Sequence, residues 1–315
     1  MKANVLLFLA MFLISTASLK CQLIPAEELY YKRLYTSLEE AEKAPNPYSV
    51  YAMELRAKKY DKIPAGIFQF KNLQMLDLSL NNIAGVPPEI TELKYLQFLN
   101  LSFNQITKLP DETTTLIHLK ELRLEHNKIS SIPENIGKLN KLEELALNNN
   151  EINDVPKSLG KLSNLRVLSL DNNKIQKLPS SIGDLSELTE LNLANNQLSK
   201  IPEEIGNLKS IWILYFDKNR IEEIPPEIGR LKSLVHLRFQ YNNISEVPSE
   251  IAKLVNLKTL NFTENKLTFI PEAIKDMPDL ETLYLTGNDF SKTSMDEIRT
   301  WFVGSRKVIF FHSEE

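Results

Sequence analysis

From residue 50 onward the apolar positions recur with one fixed spacing. Residues 73–95 read LQMLDLSLNNIAGVPPEITELKY, residues 142–164 LEELALNNNEINDVPKSLGKLSN and residues 188–210 LTELNLANNQLSKIPEEIGNLKS. Each unit is 23 residues long, with no insertion or deletion from Leu73 to Leu280. A degenerate first unit starts at Val50 and a partial last one at Leu280, which makes eleven. Self-similarity at such a period marks a repeat array, and it takes precedence over any local assignment.

Position within the unit dictates structure. Apolar residues at positions 4 and 6 flank a residue of the opposite face, the two-residue alternation of a half-buried strand. Leu76 and Leu78 point inward around Asp77, and Leu145 and Leu147 around Ala146. Position 9 is Asn in ten consecutive units, from Asn81 to Asn288. Its short amide tolerates a turn and both donates and accepts, so stacked asparagines can satisfy the backbone groups freed where each strand ends. Position 15 is Pro in ten units, from Pro64 to Pro271. Proline ends any strand and sets a turn before apolar positions 18 and 21, such as Ile90 and Leu93. A lone unit buries too little apolar surface to offset the entropy of ordering its backbone. Neighbours must therefore stack and close each other's open sides.

Both ends of the array depart from the repeat. Residues 22–47 carry apolar positions at helical spacing and stop near Pro45 and Pro47, which predicts a helical N-terminal cap. In the last unit the proline is lost and MDEIRTWFVGSRKVIFF (Met295 to Phe311) takes over. This segment predicts a short helix carrying Ile298, Trp301 and Phe302, followed by an apolar strand over the last open core face. The very start differs again: Lys2, an unbroken apolar run from Val5 to Ile14, then Ser15, Thr16, Ala17 and Ser18. That run falls well short of the roughly 20 residues that span a bilayer. It reads as a cleaved secretory signal in preference to a buried helix of the mature fold. The expected organisation is a signal at 1–20, an N-terminal cap at 21–49, repeats at 50–290 and a C-terminal cap at 291–315. The protein is then secreted or held in the periplasm or cell envelope, with no integral membrane span. Cys21 is the only cysteine, so no internal disulfide forms. A lipid anchor there is not favoured, because Lys20 and Ser18 stand where a lipobox has a small residue and usually Leu.

The unit LxxLxLxxNxIxxIPxxIxxLxx resembles the leucine-rich-repeat family, in its 23-residue class. That class occurs in exported bacterial proteins and in the intracellular Ras-group proteins of plants and animals. The resemblance covers residues 50–290. It implies an α/β solenoid, a horseshoe with a concave parallel sheet, a convex face of 3-10 and irregular segments, and binding through exposed concave residues. It does not imply a particular ligand, since function resides in sites and not in folds. Lys58 replaces the recurrent Asn in the first unit, and Phe216, Phe239 and Phe262 replace the strand Leu at position 6.

Charge and chemistry narrow the function. With 37 Lys and Arg against 41 Asp and Glu, the net charge of -4 gives no electrostatic footprint for nucleic acid. Of the four histidines, His126 and His236 fall near concave positions five units apart. That is about 24 Å at the spacing of stacked strands, too far to share a metal or a proton. His118 ends a convex segment and His312 sits in the tail. No phosphate loop, nucleophile elbow or paired-cysteine spacing occurs, so neither catalysis nor a cofactor is expected. Glu121, Glu144, Glu190, Glu125 and Asp171 could face a hard cation, but interspersed Arg123 and Arg166 make a solvated sheet surface the simpler reading.

Concave positions 2, 3, 5, 7 and 8 should be exposed, and most units fill them with polar residues. Two clusters break that pattern. Met75 and Phe98 take position 3 in adjacent units, with Leu80 and Phe103 at position 8. Farther on, Trp212, Ile213 and Tyr215 are followed by His236, Arg238 and Tyr241, with Tyr284 two units later. Exposed Trp, Tyr and Arg dominate interface energetics, although cross-strand aromatic stacking can be purely structural. The expectation is a protein ligand, a host or cell-surface protein among the candidates, held foremost at the second cluster, with Met75 and Phe98 of the first also counted as partner-binding. Tyr215→Ala with Arg238→Ala should abolish its capture without lowering the melting temperature. Two other readings stay open: an intracellular scaffold or signalling regulator, and a glycan or envelope-polymer binder using the same Trp212 and Tyr215.

Overall fold

The structure is a computed structural model that describes residues 23–304 and 307–310. The expected signal segment, Cys21 and His312 lie outside the described residues.

The alternation at positions 3 to 5 produces one three-residue strand in every unit. These are β2 (Ala52–Glu54), β3 (Met75–Asp77), β4 (Phe98–Asn100), β5 (Glu121–Arg123), β6 (Glu144–Ala146) and β7 (Val167–Ser169). They continue as β8 (Glu190–Asn192), β9 (Ile213–Tyr215), β10 (His236–Arg238), β11 (Thr259–Asn261) and β12 (Thr282–Tyr284). One further strand joins at each end: β1 (Leu34–Tyr35) and β13 (Val308–Phe310). Among the described residues all thirteen form a single sheet in sequence order. Neighbours are parallel and pair like with like, as in Leu145 with Leu168 and Leu168 with Leu191. No residue is gained or lost between units, so position 3 always lies beside position 3 and position 5 beside position 5.

The asparagines behave as their chemistry predicts. Asn173 Nδ2 donates to the carbonyls of Leu147 and Leu170 at 3.0 Å and of Asp171 at 3.2 Å. Its Oδ1 accepts the N–H of Ile152, in the preceding unit, at 2.9 Å. The same set repeats at Asn150 and Asn196, and all three are buried. Lys58, which replaces Asn in the first unit, instead donates its backbone N–H to Asn81 Oδ1 at 2.9 Å.

On the convex side each proline leads into a 3-10 turn. Pro179 (φ -71, ψ 150) precedes the turn Ser180–Asp184, and its carbonyl accepts the N–H of Ile182 at 3.0 Å. Successive turns pack so closely in the middle of the array that a Cβ on Gly183 would overlap the backbone carbonyl of Glu204. Glycine is required there by close approach and not by an unusual φ. Position 8 is different, because the chain enters the left-handed region in unit after unit. Leu80 has φ +58, Phe103 +54, His126 +55, Asn149 +57 and Tyr241 +57. Asn tolerates that conformation, whereas other L-residues are disfavoured in it by up to roughly 1–2 kcal/mol.

The core runs the length of the solenoid beneath the sheet. Phe216, Phe239 and Phe262 are fully buried within it. Their rings stack in near-parallel register, with centroids 5.4 Å and 5.7 Å apart.

The caps differ in detail from expectation. The N-terminal cap is not one helix. Short helices α1 (Ala26–Leu29) and α2 (Leu38–Glu42) flank β1, which pairs parallel with β2. The first unit leaves an open sheet edge, and unpaired backbone groups there favour a strand over continued helix. Ser37 then starts α2 by accepting the N–H of Glu40. At the other end α3 (Lys292–Trp301) buries Ile298 and places the following Phe302 in the core. Strand β13 then pairs with β12, as the apolar run VIF predicts.

Candidate interaction surface

The parallel register turns sequence clusters into surface clusters. Ile213 on β9 lies beside His236 on β10, and Tyr215 beside Arg238. All four are half-buried on the concave face. The Arg238 guanidinium carbon sits 4.7 Å from the centre of the Tyr215 ring. Trp212 precedes β9 at one margin and is 60 % exposed, while Tyr241 follows β10 at the other and is 50 % exposed. The six residues thus form one patch across two strands, with its most exposed aromatics at opposite edges. Trp212 covers little, so a purely structural role for its ring is not favoured.

Tyr284 lies apart from this group. Two strand spacings separate it from Arg238, and Asn261 stands between. It stacks instead on Phe310 of β13, with ring centroids 4.8 Å apart. Phe310 was not among the expected site residues. Its signal was present in the apolar strand expected after α3, but only the β12–β13 register shows that it extends the position-5 row.

Arg238 also does something the sequence did not disclose. Its Nε lies 3.0 Å from Oδ2 of Asp217, whose side chain is 6 % exposed. Asp217 Oδ1 accepts the N–H of Gln240 at 3.1 Å. Burial pushes the Asp217 carboxyl above its ordinary pKa, and the adjacent guanidinium opposes that rise. Removing Arg238 would strand a buried carboxylate, so Arg238→Ala is not a neutral probe. The expectation that Tyr215→Ala with Arg238→Ala spares stability is corrected on this ground.

The first cluster divides in two. Met75 and Phe98 pair on β3 and β4 and are half-buried, not fully exposed. Positions 2 and 7 are buried here too, at Gln74, Gln97, Ser79 and Ser102. The N-terminal segment closes over position 2: the Ile24 N–H donates to Gln74 Oε1 at 2.9 Å, and Gln97 Nε2 donates to the Ile24 carbonyl at 2.6 Å. Position 8 stays open, with Leu80 43 % and Phe103 46 % exposed. Phe103 stacks on His126 with ring centroids 4.2 Å apart.

Between the clusters the face is charged. Arg123 lies 2.5 Å from Glu121 and 3.3 Å from Glu144, while burial pushes the Glu121 carboxyl up. A guanidinium occupies the middle of the carboxylates considered for a cation. Among the described residues no group of three or more His, Cys, Asp or Glu is placed to hold a metal ion.

An open solenoid of identical parallel units with a concave face of side chains is the class this geometry defines. A model described as "leucine-rich repeat region" matches residues 111–193, 156–222 and 181–244, and one described as "leucine rich repeat" matches 49–106 and 232–290. The chain belongs to the leucine-rich-repeat family. Among solved structures it is similar to the ectodomain of the plant membrane receptor kinase GASSHO1/SCHENGEN3 from Arabidopsis thaliana, in complex with CASPARIAN STRIP INTEGRITY FACTOR 2. That match has 30 % identity and a TM-score of 0.67, and covers 80 % of this chain and 32 % of that one. The chain therefore spans about a third of that ectodomain's length. A leucine-rich-repeat protein of Leptospira interrogans matches at 26 % identity and TM-score 0.50, covering 89 % of this chain and all of that one. An internalin of Listeria monocytogenes matches at 22 % identity and TM-score 0.66, covering 88 % and 83 %, and shows the fold alone. No curated protein matches the chain. No helix among the described residues is long and apolar enough to cross a membrane.

Proposed function

We propose that this protein is an exported interaction module that holds a protein ligand on its concave face, centred on β9 and β10. One observation carries the reading. Trp212 and Tyr241 stand 60 % and 50 % exposed at the margins of a patch whose centre is the Tyr215–Arg238 pair, with Arg238 ion-paired to Asp217. Large aromatic rings left in water around an anchored cation are the surface chemistry of binding hot spots. The similar receptor ectodomain, in complex with its own factor, supports a ligand of protein nature.

Trp212→Ala with Tyr241→Asn tests this and leaves the Asp217–Arg238 pair untouched. Partner capture by residues 21–315 is expected to fall at least about tenfold, which is about 1.4 kcal/mol. The melting temperature is expected to hold or rise, because Asn suits the φ of +57 at position 241. Undiminished capture by the double variant would remove this patch as the site.

Export rests on the segment 1–20, whose apolar run is long enough for a signal and too short for a span. Sequencing the N-terminus of the natural protein is expected to find it removed, with mature chains beginning between residues 18 and 22. An intact Met1 would overturn export and revive the intracellular reading.

A further inference from the structure

A second surface lies at the opposite end of the array, on the turns that follow the strands and not on the sheet. Leu80 and Phe103 hold φ +58 and +54 there and are 43 % and 46 % exposed. Position 8 is left-handed in every unit: farther along Asn149, Asn172 and Asn195 suit that backbone and Lys218 and Glu264 put charge there, whereas Leu80 and Phe103 put exposed hydrocarbon there. Bulky apolar side chains left nearly half exposed in a disfavoured conformation gain less stability from burial than core residues do. Backbone strain of this kind points to function when the strained residues are also presented to solvent. Phe103 is backed by His126, stacked at 4.2 Å, so the ring is held in place.

The preceding turn supplies the second half of the surface. Arg56, Lys58 and Lys59 are all exposed, and none joins an ion pair among the described residues. That turn is fixed directly beside Leu80. The Ala57 N–H donates to the Ser79 carbonyl at 3.0 Å, and the Lys58 N–H to Asn81 Oδ1 at 2.9 Å. Three uncompensated cations thus border a raised apolar ridge on a chain whose net charge is -4.

We infer that this ridge is a second recognition strip, separate from the β9–β10 patch, for an extended protein segment in which acidic residues are followed by apolar ones. The acidic side chains lie against Arg56, Lys58 and Lys59, and the apolar ones over Leu80 and Phe103. Successive units stand about 4.8 Å apart, so the two spacings from the first unit to the third correspond to about three residues of extended chain. Charge complementarity selects the acidic half, and burial of the exposed Leu80 and Phe103 side chains drives the apolar half.

Titration calorimetry of the mature chain with the peptide Asp-Glu-Asp-Gly-Leu-Phe-Leu tests the assignment. Binding is expected, and it should weaken as salt is raised. Leu80→Asn with Phe103→Asn should weaken it at least about tenfold while the melting temperature holds or rises. Lys58→Ser with Lys59→Ser should weaken it and flatten its salt dependence, and Trp212→Ala with Tyr241→Asn should leave it unchanged. The inference is overturned by any of four results. These are no binding of the peptide, equal binding of its Lys-Lys-Lys-Gly-Leu-Phe-Leu counterpart, unchanged affinity in the Leu80/Phe103 variant, or tighter binding to phosphatidylglycerol vesicles or single-stranded oligonucleotide than to the peptide.

Discussion

Asn173→Ala is expected to destabilise the array by about 4 kcal/mol, far more than a surface amide normally contributes. The side chain is buried, donates to three carbonyls and accepts the N–H of Ile152. Alanine leaves the buried Ile152 N–H with no partner, at roughly 1–3 kcal/mol, and takes one donor each from the Leu147, Leu170 and Asp171 carbonyls, which keep Asn150, Asn196 and the Asn149 N–H, at about 0.5–1.5 kcal/mol per bond. Two comparisons separate this account from a general packing loss. Asn173→Asp keeps the acceptor but loses the donor, so it should still lose most of the stability. Asn288 makes the same bonds in the last unit but is only half-buried, so Asn288→Ala should cost about half as much. Urea denaturation of the three variants measures all of this. Equal, small losses at both positions would show that the ladder bonds are not what hold the turns.

Phe239→Ala is expected to cost about 3–5 kcal/mol, the range for emptying a buried aromatic site. The ring is wholly buried and lies between Phe216 and Phe262, so its removal opens a void in contact with two other large side chains. Phe239→Leu should cost much less, about 1–1.5 kcal/mol, because a buried hydrophobe remains. Most other units already accommodate Leu at this position, as at Leu170 and Leu193. If Leu proved as damaging as Ala, the three-ring stack itself would be the stabilising element. If both were harmless, the core assignment of position 6 in these units would be wrong.

The repeats were legible because each position is stated many times over. A strand, a ladder amide and a turn proline that recur at one spacing constrain one another, and the sequence pattern placed β2 to β12 without error in register. The ends are stated only once. Residues 22–47 carry a helical apolar spacing, yet the open edge of β2 draws Leu34 and Tyr35 into a strand. Local pattern cannot express that demand, because it comes from a neighbour and not from the segment. The candidate site divides along the same line. Ile213, Tyr215, His236 and Arg238 came together because the repeat alone fixes their register. The Asp217–Arg238 pair, the Tyr284–Phe310 stack and the burial of Gln74 and Gln97 under Ile24 each depend on side-chain reach or on a cap. The period carries no record of either.

Photo-crosslinking from single positions shows which face of the solenoid meets the partner. Chains beginning at residue 21, with p-benzoylphenylalanine in place of Trp212, of Tyr241 or of the exposed convex residue Lys161, are irradiated after exposure to an extract of the source cells and to the medium around them. Positions 212 and 241 are expected to give one and the same protein adduct, and position 161 none. An adduct from 161 alone, or the same adduct from all three, would remove the concave face as the binding surface.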